Sequence, residues 1–172
     1  EIGFPMIIKI PDGSFSKGIY KVKTLEDMKK ICDDLFKKTA LILVQEFFYT
    51  DFDWRIGILN DRPIYACKYY MTKGHWQIYN HEKNKKEDQS GMSETFPISK
   101  VPKHVLSTAL KMSHLVGNSL YGVDLKERDK KAYVIEINDN PNIDSDVEDA
   151  IAGMDLYHNV INEFVRRIEA NK

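Results

Sequence analysis

The chain has little that could cross-link it or anchor it. Only two of its 172 residues are cysteines, Cys32 and Cys67, too far apart for the Cys-x-x-Cys spacing of a redox or zinc pair, so a reduced, cytoplasmic setting is expected. No apolar run approaches the roughly 20 residues of a membrane-spanning helix. The opening Glu1-Ile2-Gly3-Phe4-Pro5 lacks the basic stretch and apolar run of a secretion signal. Neither sign of charge dominates: the net charge of −1 argues against a surface that coats nucleic acid. The five histidines show no His-x-x-x-His or cysteine partner spacing. There is no initiator methionine, and a strand-like run begins almost at once, which predicts a piece of a longer protein.

What is present is the material of a globular protein with a real core: 42% hydrophobic and 30% charged residues, in a length that suits one domain or two small lobes. Met6 to Ile10 reads as a strand, Asp12 to Gly18 as a glycine-bounded loop and Ile19 to Val22 as the returning strand. Thr24 followed by Asp27 predicts a helix start, after which Leu25, Met28, Ile31, Cys32, Leu35 and Phe36 recur at helical spacing, making Cys32 a small core residue. A buried strand is expected over Leu41 to Gln45, then a hairpin of Trp54–Leu59 and Ile64–Tyr70 around Asn60–Pro63. Glu82 to Gln89 reads as a solvated charged loop. Pro102 opens a helix with Val105, Ala109, Met112 and Val116 on one face, Tyr121–Glu127 and Ala132–Asn138 form a last hairpin, and Leu156, Val160, Phe164 and Ile168 mark a final helix. The pattern is α+β with a mainly antiparallel sheet.

The last hairpin is the informative segment, because alternation sorts its side chains by face. If its strands pair in register, Tyr121, Val123 and Leu125 join Tyr133, Ile135 and Ile137 on a core side, leaving Asp124, Glu136 and Asn138 opposite. Glu136 and Asn138 then lie about 6.8 Å apart along their strand. Bringing Asp124 beside them requires a turn of odd length. Two carboxylates about 4 Å apart repel by roughly 4 kcal/mol at an effective dielectric of 20, which a bound cation relieves. Oxygen ligands of this kind suit magnesium, whose remaining positions go to water and substrate phosphates, implying a nucleotide. Gly13 and Gly18 match the outer spacing of a P-loop, but Ile19-Tyr20 stands where Lys and Ser or Thr are needed, and a strand follows instead of a helix.

Together these segments resemble the ATP-grasp superfamily, in particular its RimK-like branch, which includes ribosomal-protein glutamate ligases. The resemblance rests on Met6–Ile10 with the Gly13–Gly18 loop, Val44-Gln45-Glu46-Phe47, Asp53-Trp54-Arg55, Ala66-Cys67-Lys68, Gly122-Val123-Asp124-Leu125, and Val134-Ile135-Glu136-Ile137-Asn138 with Asn140-Pro141. It implies an ATP-grasp fold of two lobes with the nucleotide between them: residues 1–44, truncated at the start, and 45–172, with a hinge at 45–48. It implies that Lys9 contacts the ATP phosphates, that Ser14, Ser16 and Gly18 lie in the covering loop, and that Gln45, Glu46 and Phe47 hold the adenine. Arg55 would stand near the transferred phosphoryl group, Lys68 would line the reaction centre, and Asp124, Glu136 and Asn138 would ligate two magnesium ions (Mg2+), replaceable by manganese (Mn2+).

The activity so implied joins a carboxylate to an amine through an acyl phosphate, with an amino acid, peptide or protein terminus as substrate and a further N-terminal domain as partner. Phe15 and Lys17 stand where glycines are frequent in the family, Asn142-Ile143 where glutamate ligases usually have glycine, and Asn80-His81 lacks the glycine-rich continuation that normally follows. Two other readings compete. One is a kinase or a non-catalytic nucleotide-binding module of the same fold. The other is a single-strand RNA binder, prompted by Lys68-Tyr69-Tyr70 and Lys73-Gly74-His75-Trp76, although alternating core aromatics account for most of that pattern.

Overall fold

The computed structural model describes residues 2–11, 18–79 and 91–172. Two antiparallel sheets face each other across a cleft. The smaller has β1 (Met6–Lys9) at its centre, between β2 (Ile19–Val22) and β3 (Leu43–Glu46). Alternation along β1 sends Met6 and Ile8 into a core with Val22 and Leu35, packed by Met28, Ile31 and Cys32 of helix α1 (Leu25–Leu35). Ile7 and Lys9 therefore point the other way, into the cleft. Thr24 caps α1 as its sequence predicts, its Oγ1 accepting from the Asp27 amide at 3.1 Å. The strand expected to be buried over Leu41 to Gln45 is an edge strand instead, with Leu43 and Val44 exposed.

The larger sheet has the order β6-β5-β4-β7-β8, built from β4 (Phe52–Leu59), β5 (Arg62–Tyr70), β6 (Ser93–Thr95), β7 (Leu120–Arg128) and β8 (Lys131–Asn138). Both of its tight hairpins close on two residues with positive φ, Asn60-Asp61 (49° and 58°) and Asp129-Lys130 (52° and 57°). That backbone twist matches the strands it joins. Helix α2 (Lys103–Val116) covers one face, packing Val105 and Ala109 on Trp54, Ile56, Ile58, Ala66, Val123 and Leu125. Val116, assigned to that stripe by spacing, is exposed, and Ser113 takes the buried position.

The other face of this sheet looks toward β1. At one end of it Tyr65 and Cys67 lie beneath Leu156 of helix α3 (Met154–Ala170), with Ile143 and Ala152 beside them. The Tyr65 ring crosses Gly57 so closely that a Cβ there would stand 2.2 Å from it, so glycine is what lets the ring lie flat. Phe164 and Ile168, which helical spacing assigns to the core, are exposed. Among the described residues no helix is long and apolar enough to cross a membrane. The Glu82–Gln89 run, His81, Ser14 and Ser16 lie outside the described residues.

Candidate functional site

On β4 the side chains of Asp53 and Arg55 point into the cleft, because Trp54 and Ile56 between and beyond them belong to the core under α2. Register carries neighbours to the same face: Arg55 pairs with Asp124 on β7 and with Cys67 on β5, and Asp53 pairs with Tyr69. Asp124 is directly opposite Glu136, and Gly122 opposite Asn138. The three oxygen-bearing residues thus share one face.

The way this register arises differs from the expectation of an odd turn. The turn has two residues, and pairing slips by one between Asp124 and Leu125: Leu125 faces Val134, and Ile135 is the extra residue of a β-bulge. The bulge also corrects the core assignment of β8. Val134 packs in the core, Tyr133 pairs with Lys126 and is exposed, and Ile135 lines the cleft.

Three ion pairs cross the site. Arg55 grips Asp124 with two parallel bonds, Nε to Oδ1 and Nη2 to Oδ2, both 2.8 Å. Lys126 Nζ donates to Asp53 Oδ1 at 2.6 Å and to Thr50 Oγ1 at 2.9 Å. Lys9 Nζ reaches from the smaller sheet to Glu136 Oε2 at 3.3 Å. Burial opposes the Arg55 charge, but the bonds and charge of Asp124 outweigh it and hold the guanidinium above its ordinary value. Burial raises the Asp124 carboxyl above its ordinary value; Arg55 opposes this, while Glu136 and Asp53 add to it. Asp53 is raised likewise by burial, against the pull of Lys126. Crowded carboxylates with raised values are groups that a cation would stabilise.

The cleft between the sheets has a volume of about 120 Å³ and is lined by Lys9, Gln45, Phe47, Trp76, Lys126 and Ile135, among others. At its linker end the Phe47 and Trp76 rings meet edge-on with centroids 5.9 Å apart, and Lys21 Nζ stands 3.4 Å from the Phe47 centroid. Gln45, Glu46 and Phe47 all line this end. Gly18 adopts φ 72°, a left-handed conformation that glycine takes without strain. A flat apolar wall beside backbone polar groups suits a heteroaromatic ring.

Lys68 is not brought to the site. It pairs with Trp54, so it lies on the α2 side of the sheet, its Nζ 4.0 Å from the Phe52 centroid, 4.8 Å from Trp54 and 5.1 Å from Phe96. The alternation that puts Arg55 in the cleft removes Lys68 from it. Asp53 and Lys126 were missed in the sequence, although each lies two positions from a candidate on its own strand and the same period would have found them. Thr50, Tyr69, Asn142 and Glu148 carry no such signal. Among the described residues no three His, Cys, Asp or Glu side chains converge as a metal cage. Asp124, Glu136 and Asn138 share one face by register, and the donors that their side chains could offer a cation are oxygens.

Comparisons with known proteins bear on the family and the fold. A model of the RimK-like ATP-grasp domain matches residues 1–164. Among curated relatives, the "Probable alpha-L-glutamate ligase" of Trichodesmium erythraeum (strain IMS101) is 28% identical over 96% of the chain and 52% of its own length. That of Shewanella loihica (strain ATCC BAA-1088 / PV-4) is 26% identical over 96% and 51%. The chain therefore spans about half the length of these relatives. Among solved structures, D-alanine–D-alanine ligase from Bacillus anthracis superposes with a TM-score of 0.74 at 16% identity, covering 99% of this chain and 57% of that one. The same ligase complexed with ATP gives 0.74 at 17%, over 99% and 56%. At such identity these structures speak for the fold alone, and the two-lobed α+β architecture is theirs. The match over residues 1–164 places the chain in the RimK-like ATP-grasp domain family.

Proposed function

We propose that the polypeptide is an ATP- and magnesium-dependent carboxylate–amine ligase, with residues 1–44 and 45–172 as its two ATP-grasp lobes and 45–48 as the hinge. The observation that carries this reading is the meeting, on one cleft face, of an arginine–aspartate fork, an opposed glutamate and a lysine from the facing sheet. A transferring phosphoryl group needs positive charge fixed around its oxygens and has little other demand on a protein. The names of the relatives and the ATP complex of the solved neighbour support the same class.

In this reading Gln45, Glu46 and Phe47 hold the adenine. Lys9 and the loop carrying Ser14, Ser16 and Gly18 hold the phosphates, and Arg55 steadies the transferred group. Asp124, Glu136 and Asn138 would hold magnesium, which, when bound, draws charge from the β and γ phosphates. A substrate carboxylate attacks the γ phosphorus, ADP leaves, and the resulting acyl phosphate is attacked by the amine, releasing phosphate and forming the amide. Because water would destroy the acyl phosphate, this reading requires solvent to be kept from the cleft while the intermediate lasts. The substrates are glutamate or another amino acid and a peptide or protein terminus. The partner is a further N-terminal domain of the same polypeptide, in the cytoplasm where ATP is plentiful.

The test is a mass-spectrometric product screen of the full-length polypeptide with ATP, magnesium and pooled amino acids, with phosphate release measured alongside. An amide product with amine-dependent release of phosphate, abolished in Glu136→Gln, is expected. Phosphate retained on the product would identify a kinase instead. Nucleotide binding without any product would leave a binding module.

A further inference from the structure

Glu148 is 1% exposed, and no lysine, arginine or histidine among the described residues forms an ion pair with it. A buried carboxylate without a paired cation is costly, and it persists where hydrogen bonds satisfy both oxygens. That is the case here. Oε2 accepts the Asp144 amide at 2.8 Å, and Oε1 accepts the Tyr69 hydroxyl of β5.

Each of these donors leads to Arg55. The Tyr69 ring lies under the guanidinium, its centroid 5.3 Å from Cζ. On the loop side, Asp144 Oδ2 accepts from Asn142 Nδ2 at 2.6 Å, and Asn142 Oδ1 accepts from Arg55 Nη1 at 3.1 Å. Arg55 is therefore held on three sides: by Asp124 along its fork, by the tyrosine ring beneath and by an amide at its remaining edge. Glu148 fixes the second and third of these at once. Its charge polarises the Tyr69 hydroxyl and makes the ring face a better seat for a cation. Packing alone would need no charge at this place, since other bonds already tether the loop: Thr95 Oγ1 donates to the Val147 carbonyl at 2.6 Å, and Tyr157 to Asp149 Oδ2 at 2.9 Å.

We infer that Glu148 is a positioning residue for the phosphoryl-transfer centre, acting through Tyr69 and the Asn142 loop to hold Arg55 where it can meet the terminal phosphate of a bound nucleoside triphosphate. The inference rests on the proposed function in one respect, that Arg55 faces that phosphate. Its consequence is specific: Glu148 governs how the site tells a triphosphate from a diphosphate, while contributing nothing to adenine or to the inner phosphates.

The test is calorimetric titration of the full-length polypeptide with adenylyl imidodiphosphate and, separately, with ADP, both with magnesium. Wild type, Glu148→Gln, Tyr69→Phe and the double variant are compared. Glutamine keeps the shape and can still hydrogen-bond, and phenylalanine keeps the ring, so both variants retain the packing. The wild type is expected to prefer the triphosphate analogue. Glu148→Gln should cut that preference about tenfold, the scale of one lost charge-assisted interaction, while affinity for ADP stays within about twofold. Tyr69→Phe should do the same, and the double variant should be no worse than either single one, since both act on one chain of contacts. Equal weakening toward both nucleotides would show a merely structural role and overturn the inference, as would an unchanged preference. A wild type that binds neither nucleotide refutes the underlying nucleotide site, and one that binds both equally refutes the placing of Arg55.

Discussion

Replacing Arg55 with methionine removes the partner of a carboxylate that is only 16% exposed, itself reached by a guanidinium that is 20% exposed. Breaking a buried pair from one side costs about 3–5 kcal/mol, because the surviving charge is left without a partner. The remaining solvent access of both groups argues for the lower end, about 3 kcal/mol. For a chain of this size each kcal/mol moves the melting point by roughly 2–4 °C, so a loss of about 6–12 °C is expected. Asn142 Oδ1 also loses its donor, but it is exposed and water can replace the bond.

The sign of the pH dependence follows from Asp124. Burial raises its carboxyl above the ordinary range, and Arg55 is the group that opposes the rise. With Arg55 gone the folded value climbs further. A raised folded value gives stability that is present at low pH and lost as pH rises through it, so the defect of Arg55→Met is smaller near about pH 5 than near about pH 8. Urea unfolding followed by the fluorescence of buried Trp54 measures this at both pH values. Adding Asp124→Asn should restore more than half of the loss at the higher pH, because the stranded charge is then gone. If the double variant is as unstable as the single one, or if the defect does not change with pH, the electrostatic account of this pair is wrong.

Lys68→Met should leave affinity for a magnesium-bound triphosphate analogue unchanged, since its ammonium lies among Phe52, Trp54 and Phe96 on the far side of the sheet. The loss is in stability, about 0.5–2 kcal/mol for the cation over aromatic faces, and a tenfold fall in nucleotide affinity would show the residue reaching the cleft after all. The Cys67 thiol is fully buried and pushed up to about 11, chiefly by burial. A raised value means that stability is level below the ordinary thiol value of 9.0 and declines as pH rises toward about 11. Cys67→Ala should flatten that decline, and thiol titration of the folded chain near neutral pH should label Cys32 well ahead of Cys67; equal labelling rates would contradict the burial.

Much of the fold was legible wherever one periodicity had one consequence. The strand beginning at Met6 was legible as such, and the Thr24 cap located α1. The face shared by Asp124, Glu136 and Asn138 was legible too, though not its cause. A bulge leaves no mark in composition, so Tyr133 and Ile135 were placed in a core they do not enter. Lys68 shows the opposite failure. Its neighbours Ala66-Cys67-Lys68 follow the family pattern, yet strand parity, which was available from Arg55, sends it to the other face once β4 and β5 pair as they do. Glu148 was out of reach, because loop residues obey no period and its partners are 79 positions away in Tyr69 and 4 away in Asp144. The exposed apolar side of α3 was misjudged because helical spacing shows which residues share a face, and a face can remain uncovered.

The Lys9–Glu136 contact joins the two sheets, and with Arg55–Asp124 and Lys126–Asp53 it makes three ion pairs whose six side chains cancel one another's charge. A fully ionised ATP with two magnesium ions is self-cancelling as well. On the proposed function, admission of such a ligand would be an exchange of partners, Lys9 and Arg55 turning from Glu136 and Asp124 to phosphates as those carboxylates turn to metal. Neither half of the ligand could enter alone without leaving an unmatched charge behind, which would couple uptake of the nucleotide to uptake of its ions.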